Sequence, residues 1–161
     1  MTEEIRALTP ADAEACDAVL RSLPYHFGDP GGQEECARAV RACDGLVALH
    51  DGEIVGFLTV VPHFETSREI TWMAVHADHR SRGIGHRLIE RLAADLRARG
   101  QQFLFVATLS DQRPEPGVED GYNRTRAFYR SAGFIPALNM PDLWPGNPAM
   151  YFLMPLSESG D

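Results

Sequence analysis

"AVHADHRSRGIGHRLIERL", residues 74–92, joins an apolar run to an amphipathic one through a junction holding Arg80, Arg82, Gly83 and Gly85. Glycine weakens a helix start, so these residues serve something other than helix stability. They let a backbone approach a ligand closely, and the first N–H groups of any helix have no partner within it. Such N–H groups, backed by the helix dipole, make an anion site. Arg80 and Arg82 add positive charge. The junction therefore reads as a holder of phosphate.

Beyond the junction, Leu88, Ile89, Leu92 and Leu96 fall on one helical face, with Arg87, Arg91 and Arg97 away from it. This predicts a helix to about Arg99, stopped by Gly100. "REITWMAVH" (68–76) before it and "QQFLFVATL" (101–109) after it read as strands, so the three form a βαβ unit with parallel strands and a right-handed crossover. "EEIRAL" (3–8) alternates as a first strand, and a helix follows over 9–23 with Thr9 as N-cap and Pro10 at N1. A turn-rich loop (24–32) precedes a helical segment (33–43). "GLVALH" (45–50) and "EIVGFLTVV" (53–61) are strands joined at Asp51-Gly52, a strong hairpin signal. The loop 110–121 is rich in proline and acid. "YNRTRAFYRSAG" (122–133) is a short helix closed by Gly133. "FIPALNM" (134–140) and "AMYFLMPL" (149–156) form a last strand pair linked by "PDLWPGNP" (141–148). The expectation is a mixed α/β fold opening with an antiparallel meander, in one domain over residues 1–161.

The 161 residues suit one core without disulfides or metal, and 44% hydrophobic with 24% charged residues is a globular composition. No apolar run reaches the roughly 18 residues of a membrane span. The acidic start "MTEEIRALTPADAE" lacks a secretory profile, so a cytoplasmic protein with no membrane partner is expected. Cys16, Cys36 and Cys43 fit no zinc spacing and read as reduced core residues. A net charge of -8 argues against broad nucleic-acid binding. All 15 basic residues are arginine, the side chain suited to bidentate phosphate recognition, although biased codon usage gives the same composition. His76, His79 and His86 surround the junction, but the first two lie in a turn and no carboxylate or cysteine completes a ligand set, so no metal is expected.

The missing lysine excludes the Walker phosphate loop, and "GIGHRL" supplies only two of the three glycines of a dinucleotide fingerprint. The order of elements adds specificity. An apolar strand carrying Glu69, then "RSRGIG", an amphipathic helix, a buried strand and "RAFYRSAGF" together resemble the GNAT superfamily of N-acetyltransferases, most strongly over 69–109 and 122–134. The segment "TRAFYRSAGFIPAL…DLWPGNP" is similar to one bacterial branch whose acceptors are mostly unassigned. The resemblance implies a mostly antiparallel central sheet of about seven strands, a splayed parallel βαβ core and flanking helices.

It also implies roles. The R/Q-x-x-G-x-G/A signature, matched by Arg80, Gly83 and Gly85, cradles the pyrophosphate of acetyl-CoA, the expected cosubstrate, with the N–H groups of Arg82, Gly83, Ile84, Gly85 and His86 as donors. Met73, Ala74 and Val75 match the strand that pairs with the pantetheine arm, which needs that strand splayed from its parallel neighbour, commonly by a β-bulge. The Met73 N–H would polarise the thioester oxygen. Glu69 stands where several members carry a general base; its other reading is a solvated strand-end carboxylate. Tyr129 matches the tyrosine that protonates the departing sulfur; its other reading is a core tyrosine. Many members place a pantetheine-contacting asparagine seven residues before that tyrosine. Here Tyr122 holds the place and Asn123 follows, so either the helix start has shifted or Asn123 is a cap.

The acceptor pocket of the superfamily draws on segments that here offer Tyr25, His26, Phe27, His63, Phe64 and Trp144, which either line a slot or close the core. The expected activity is acetyl transfer to a small-molecule or peptide amine in a ternary complex, and a homodimer lies within what the resemblance allows. A catalytically silent acyl-CoA-binding module is the alternative. A tRNA-acetylating toxin would want a basic face that this charge does not provide.

Overall fold

The computed structural model describes residues 2–23, 30–111 and 122–157. They fall into two units, Met1–Pro62 with Ile70–Asp95, and His63–Glu69 with Leu96–Asp161. Among the described residues there are seven strands and four α-helices, the mixed α/β class expected. No described helix is long and apolar enough to cross a membrane.

In the first unit β1 (Glu3–Ala7), β2 (Asp44–His50), β3 (Glu53–Pro62) and β4 (Ser67–Val75, here from Ile70) lie in that order. β1 pairs antiparallel with β2, and β2 with β3. Asp51 and Gly52 take φ of 50° and 85° at the β2–β3 turn, the left-handed pair that a tight hairpin demands. β3 is buried over most of its length because both its faces are covered. Phe57 points into a cluster with Cys16, Val19 and Leu20 of α1 (Ala13–Arg21) and Cys36 and Val40 of α2 (Pro30–Ala42). Its neighbour Gly56 points the opposite way, where an added Cβ would lie 3.3 Å from Ile84 of α3 (Ile84–Ala98) and 3.3 Å from the Ala74 carbonyl. The missing side chain lets the N-terminal turn of α3 sit directly on the sheet. Cys16 and Cys36 are core residues, and burial pushes both thiols up to about 12, so neither is a ready nucleophile.

In the second unit β5 (Phe103–Leu109), β7 (Asn147–Pro155) and β6 (Ile135–Trp144) form an antiparallel run with β7 in the middle. α4 (Asn123–Ser131) is closed by Gly133 at φ 105°. Here the structure corrects the sequence reading. β6 continues to Trp144, and only Pro145 and Gly146 turn the chain, where 141–148 was expected as a loop. Pro141 opened the expected loop, yet β6 runs through it as it does through Pro136, because β6 pairs on one side only and an edge strand tolerates residues without an N–H. α2 likewise begins at Pro30 rather than at 33, since proline suits a first helical turn.

Thr9 and Pro10 take their expected places at the start of a 3-10 turn, Pro10–Asp12. The sheltered Asp12 carboxylate accepts from both Arg6 guanidinium nitrogens (2.8 and 2.9 Å) and from the Thr9 N–H (2.9 Å). The Arg6 hydrogen bonds, aided by Thr9 and opposed by desolvation, hold its carboxyl down at about 2, against an ordinary value of 3.8. The pair therefore stabilises the fold above pH 4, and that stability drains away as pH falls toward 2. Asp12→Asn should cost about 1–2 kcal/mol at pH 7, after allowing for the solvent around Arg6. Urea unfolding of the two proteins should show the gap closing at pH 2–3; a gap constant with pH would contradict the assignment.

Candidate active site

The junction between β4 and α3 lies wholly in the first unit. Met73, Ala74 and Val75 end β4, and the chain leaves it through the His76 N–H, which donates to the Val55 carbonyl at 2.7 Å. A 3-10 turn, Ala77–His79, follows; the His76 Nδ1 accepts from the Asp78 N–H (3.1 Å), and the Ser22 hydroxyl accepts from the Ala77 N–H (3.1 Å). Ser81 and Gly83 then take left-handed φ of 66° and 79°. For serine this is an uncommon and strained conformation, and sequence gives no sign of it. Two left-handed residues one apart bend the backbone sharply just before α3, whose ladder begins with the Arg87 N–H donating to Gly83 (3.1 Å). The peptide N–H groups ahead of that bond are the donors a helix start leaves for a ligand.

Charge follows the same division. Arg87 pairs with Glu3 of β1 (2.7 Å), and Arg91 donates to the Ile5 carbonyl of β1 (3.1 Å) while pairing with Asp95 within the helix (3.2 Å), so both tie α3 to the sheet edge. Arg80 and Arg82 are exposed and form no ion pair among the described residues. His76 and His79 belong to the turn itself, with His79 5.1 Å from the His50 ring and 5.9 Å from His76, while His86 lies in the first turn of α3. Among the described residues, no group of three or more His, Cys, Asp or Glu is placed to hold a metal.

Glu69 belongs to the second unit, and it is not the solvated strand-end residue of the alternative reading. Its side chain is only 14% exposed, and its Oε1 accepts from the His63 Nε2 at 2.8 Å and from the Tyr151 hydroxyl at 3.4 Å. Burial, then the Glu69 charge and hydrogen bond, push the Tyr151 hydroxyl up, so it stays a donor. His63 sits on a pinned turn: its N–H reaches the Ser67 carbonyl (3.1 Å), and the Ser67 hydroxyl accepts from the Phe64 N–H (3.1 Å). Neither partner of Glu69 carries a sequence signal for this pairing.

Tyr129, also in the second unit, is ringed by Phe128, Phe134 and Phe152 at 5.4–5.8 Å between centroids, and its hydroxyl has no hydrogen bond among the described residues. Burial pushes that hydroxyl up to about 12, so it remains protonated at any working pH. Asn123 is the first residue of α4, after Tyr122 as cap, and its Oδ1 accepts from Arg126 at 2.6 Å. Arg126, buried and unforeseen from sequence, also donates to the Leu109 carbonyl at the end of β5 (2.8 Å). Of the acceptor-pocket candidates, Tyr25, His26 and Phe27 lie outside the described residues. Phe64 and Trp144 are 83% and 38% exposed, which removes the reading that they close the core.

A family model described as an acetyltransferase (GNAT) domain matches residues 41–136. No curated protein matches the chain in sequence. Among solved structures, a GNAT-family protein from Desulfovibrio desulfuricans is similar at 22% identity over 97% of this chain and 100% of its own, with a TM-score of 0.81. The ribosomal-protein-S18-alanine N-acetyltransferase of Escherichia coli is similar at 18% identity over 99% and 97% (TM-score 0.77). An aminoglycoside 6'-N-acetyltransferase complexed with coenzyme A is similar at 18% over 98% and 99% (TM-score 0.77). These likenesses concern the fold, whereas the family model spans more than half of the sequence and includes the junction. The chain belongs to the GNAT family of acetyltransferases.

Proposed function

We propose that this acetyltransferase moves an acetyl group from acetyl-CoA directly to a primary amine, in a ternary complex. One observation carries the reading: a backbone bent through Ser81 and Gly83 into the start of α3, flanked by two arginines that no carboxylate neutralises among the described residues. Such a junction fits a diphosphate by charge and by donor supply. Acetyl-CoA supplies the activated acyl group as a thioester. The N–H groups of Arg82 to His86 hold its diphosphate, with Arg80 and Arg82 above, and Met73 to Val75 line its pantetheine arm. The Met73 N–H supports charge on the carbonyl oxygen. Asn123, its Oδ1 held by Arg126, keeps its amide nitrogen for that arm.

Two groups of the second unit manage protons. The Glu69 cluster draws the proton from the attacking amine. Tyr129 gives a hydrogen bond to the leaving sulfur. A phenol raised to about 12 is a weak acid beside a thiol of about 8.5, so its work is to stabilise the developing thiolate as the bond breaks, with solvent completing the protonation. The acidic chain, net charge -8, favours approach of a cationic amine, and the protein works in the cytoplasm, without nucleic acid or membrane.

Thiol release from acetyl-CoA, followed over tyramine, spermidine, kanamycin and a peptide with a free alanine N-terminus, tests this directly. Amine-dependent release supports it; tight CoA binding with no turnover on any amine identifies a silent acyl-CoA-binding module instead. Gly83→Val should raise the Kd for CoA roughly tenfold or more, the value of about one hydrogen bond to a charged group (~1.5–3 kcal/mol). Unchanged affinity by calorimetry would remove the junction from the account. Tyr129→Phe should lower kcat on the order of a hundredfold while leaving the Kd for CoA within about twofold. Full activity in that variant would assign thiolate stabilisation elsewhere.

A further inference from the structure

Glu69 is sheltered, and its Oε1 already takes two donors, the His63 Nε2 at 2.8 Å and the Tyr151 hydroxyl at 3.4 Å. His63 is the opposite: its side chain is 50% exposed, against 14% for Glu69. An imidazole that donates through Nε2 to a carboxylate carries its lone pair on Nδ1, turned away from that carboxylate. We propose that His63 is the group that takes the proton from the acceptor amine, with Glu69 and Tyr151 as positioning residues that fix its tautomer. This rests on the acetyl-transfer reading above and deepens it.

The step balances as follows. The amine nitrogen forms a bond to the thioester carbonyl carbon, its proton passes to the His63 Nδ1, and the carbon–sulfur bond breaks with its electron pair on sulfur. The Glu69 carboxylate stabilises the imidazolium through the hydrogen bond already in place, and His63 returns its proton to solvent. An imidazole can take a proton through one ring nitrogen while the other donates to a carboxylate, as the His63–Glu69 contact allows. Geometry supports the assignment because the ring is held at Nε2 by Glu69 and the turn that carries it is pinned. The turn from His63 to Ser67 is closed by backbone and hydroxyl bonds, and Arg68 donates to the Phe64 carbonyl (3.1 Å) and the Ser67 carbonyl (2.9 Å). Among the described residues, the charged or titratable groups on the elements that carry this cluster are Glu69 on β4, Tyr151 on β7, and Glu65 and Arg68 on the turn and strand next to it. Arg68 is committed to those carbonyls. Glu69 is the only one of the four with an ion pair to His63 among the described residues.

Two measurements test this. The first needs no acceptor: the ¹⁵N spectrum of the imidazole of His63 at neutral to alkaline pH should show the Nε2–H tautomer, and Glu69→Ala should abolish that preference. An Nδ1–H tautomer would overturn the proposal, since no lone pair would then face the amine. The second uses acetyl-CoA with the best amine of the panel above. His63→Gln keeps a donor for Glu69 but removes the base. It should lower kcat on the order of a hundredfold with the KM for acetyl-CoA within about twofold, and remove the fall in wild-type rate at acid pH. Added imidazole should restore part of the rate in His63→Ala, which a purely structural clasp would not allow. An active wild-type enzyme with an unimpaired His63→Gln variant would overturn this inference and leave the acetyl-transfer reading standing. A wild-type protein that binds CoA and turns over no amine would overturn that reading and this inference together.

Discussion

The first turn of α3 is pressed onto the sheet beneath it, and that contact constrains the rest of the first unit. Gly56 has no side chain, so Ile84 and the Ala74 carbonyl come closer than a Cβ there would ordinarily allow. To reach that position from the end of β4, the chain must bend through two left-handed residues, Ser81 and Gly83. The bend leads into a helix start whose first N–H groups have no partner within the helix, beside two arginines that form no ion pair among the described residues. Under the proposed function, an anion bound there would offset the strain at Ser81.

The second unit solves a different problem. Moving an acyl group to an amine requires a place for a proton and relief for a thiolate, neither of which the phosphate junction supplies. Glu69, His63 and Tyr151 form a hydrogen-bonded set on β4, its preceding turn and β7. Tyr129 stands apart in an aromatic enclosure that keeps its proton on. The first set is half open to solvent at His63, whereas the Tyr129 hydroxyl is enclosed, and the two environments suit different tasks.

Much of this was legible in the sequence, for reasons that can be named. Asp51-Gly52 dictates its hairpin, Gly100 stops α3, and the apolar stripe from Leu88 to Leu96 fixes that helix's buried face. All depend on neighbours in the chain. The junction was legible because Arg80, Gly83 and Gly85 act within one turn. What escaped depends on distance or on context. The partner of Glu69 on β7 is 82 positions away, and no periodicity reports such a pairing. The left-handed Ser81 carries no glycine to announce it. Pro141 suggested a break, and only the edge position of β6 explains why the strand runs on.

The central claim concerns peptide donors, so the most direct measurement watches them. Backbone amide ¹H–¹⁵N spectra recorded as coenzyme A is titrated in should show large downfield shifts confined chiefly to residues 82–86, with slowed hydrogen exchange there. Saturating coenzyme A that leaves those amides unmoved, while shifting another part of the chain, would contradict the account.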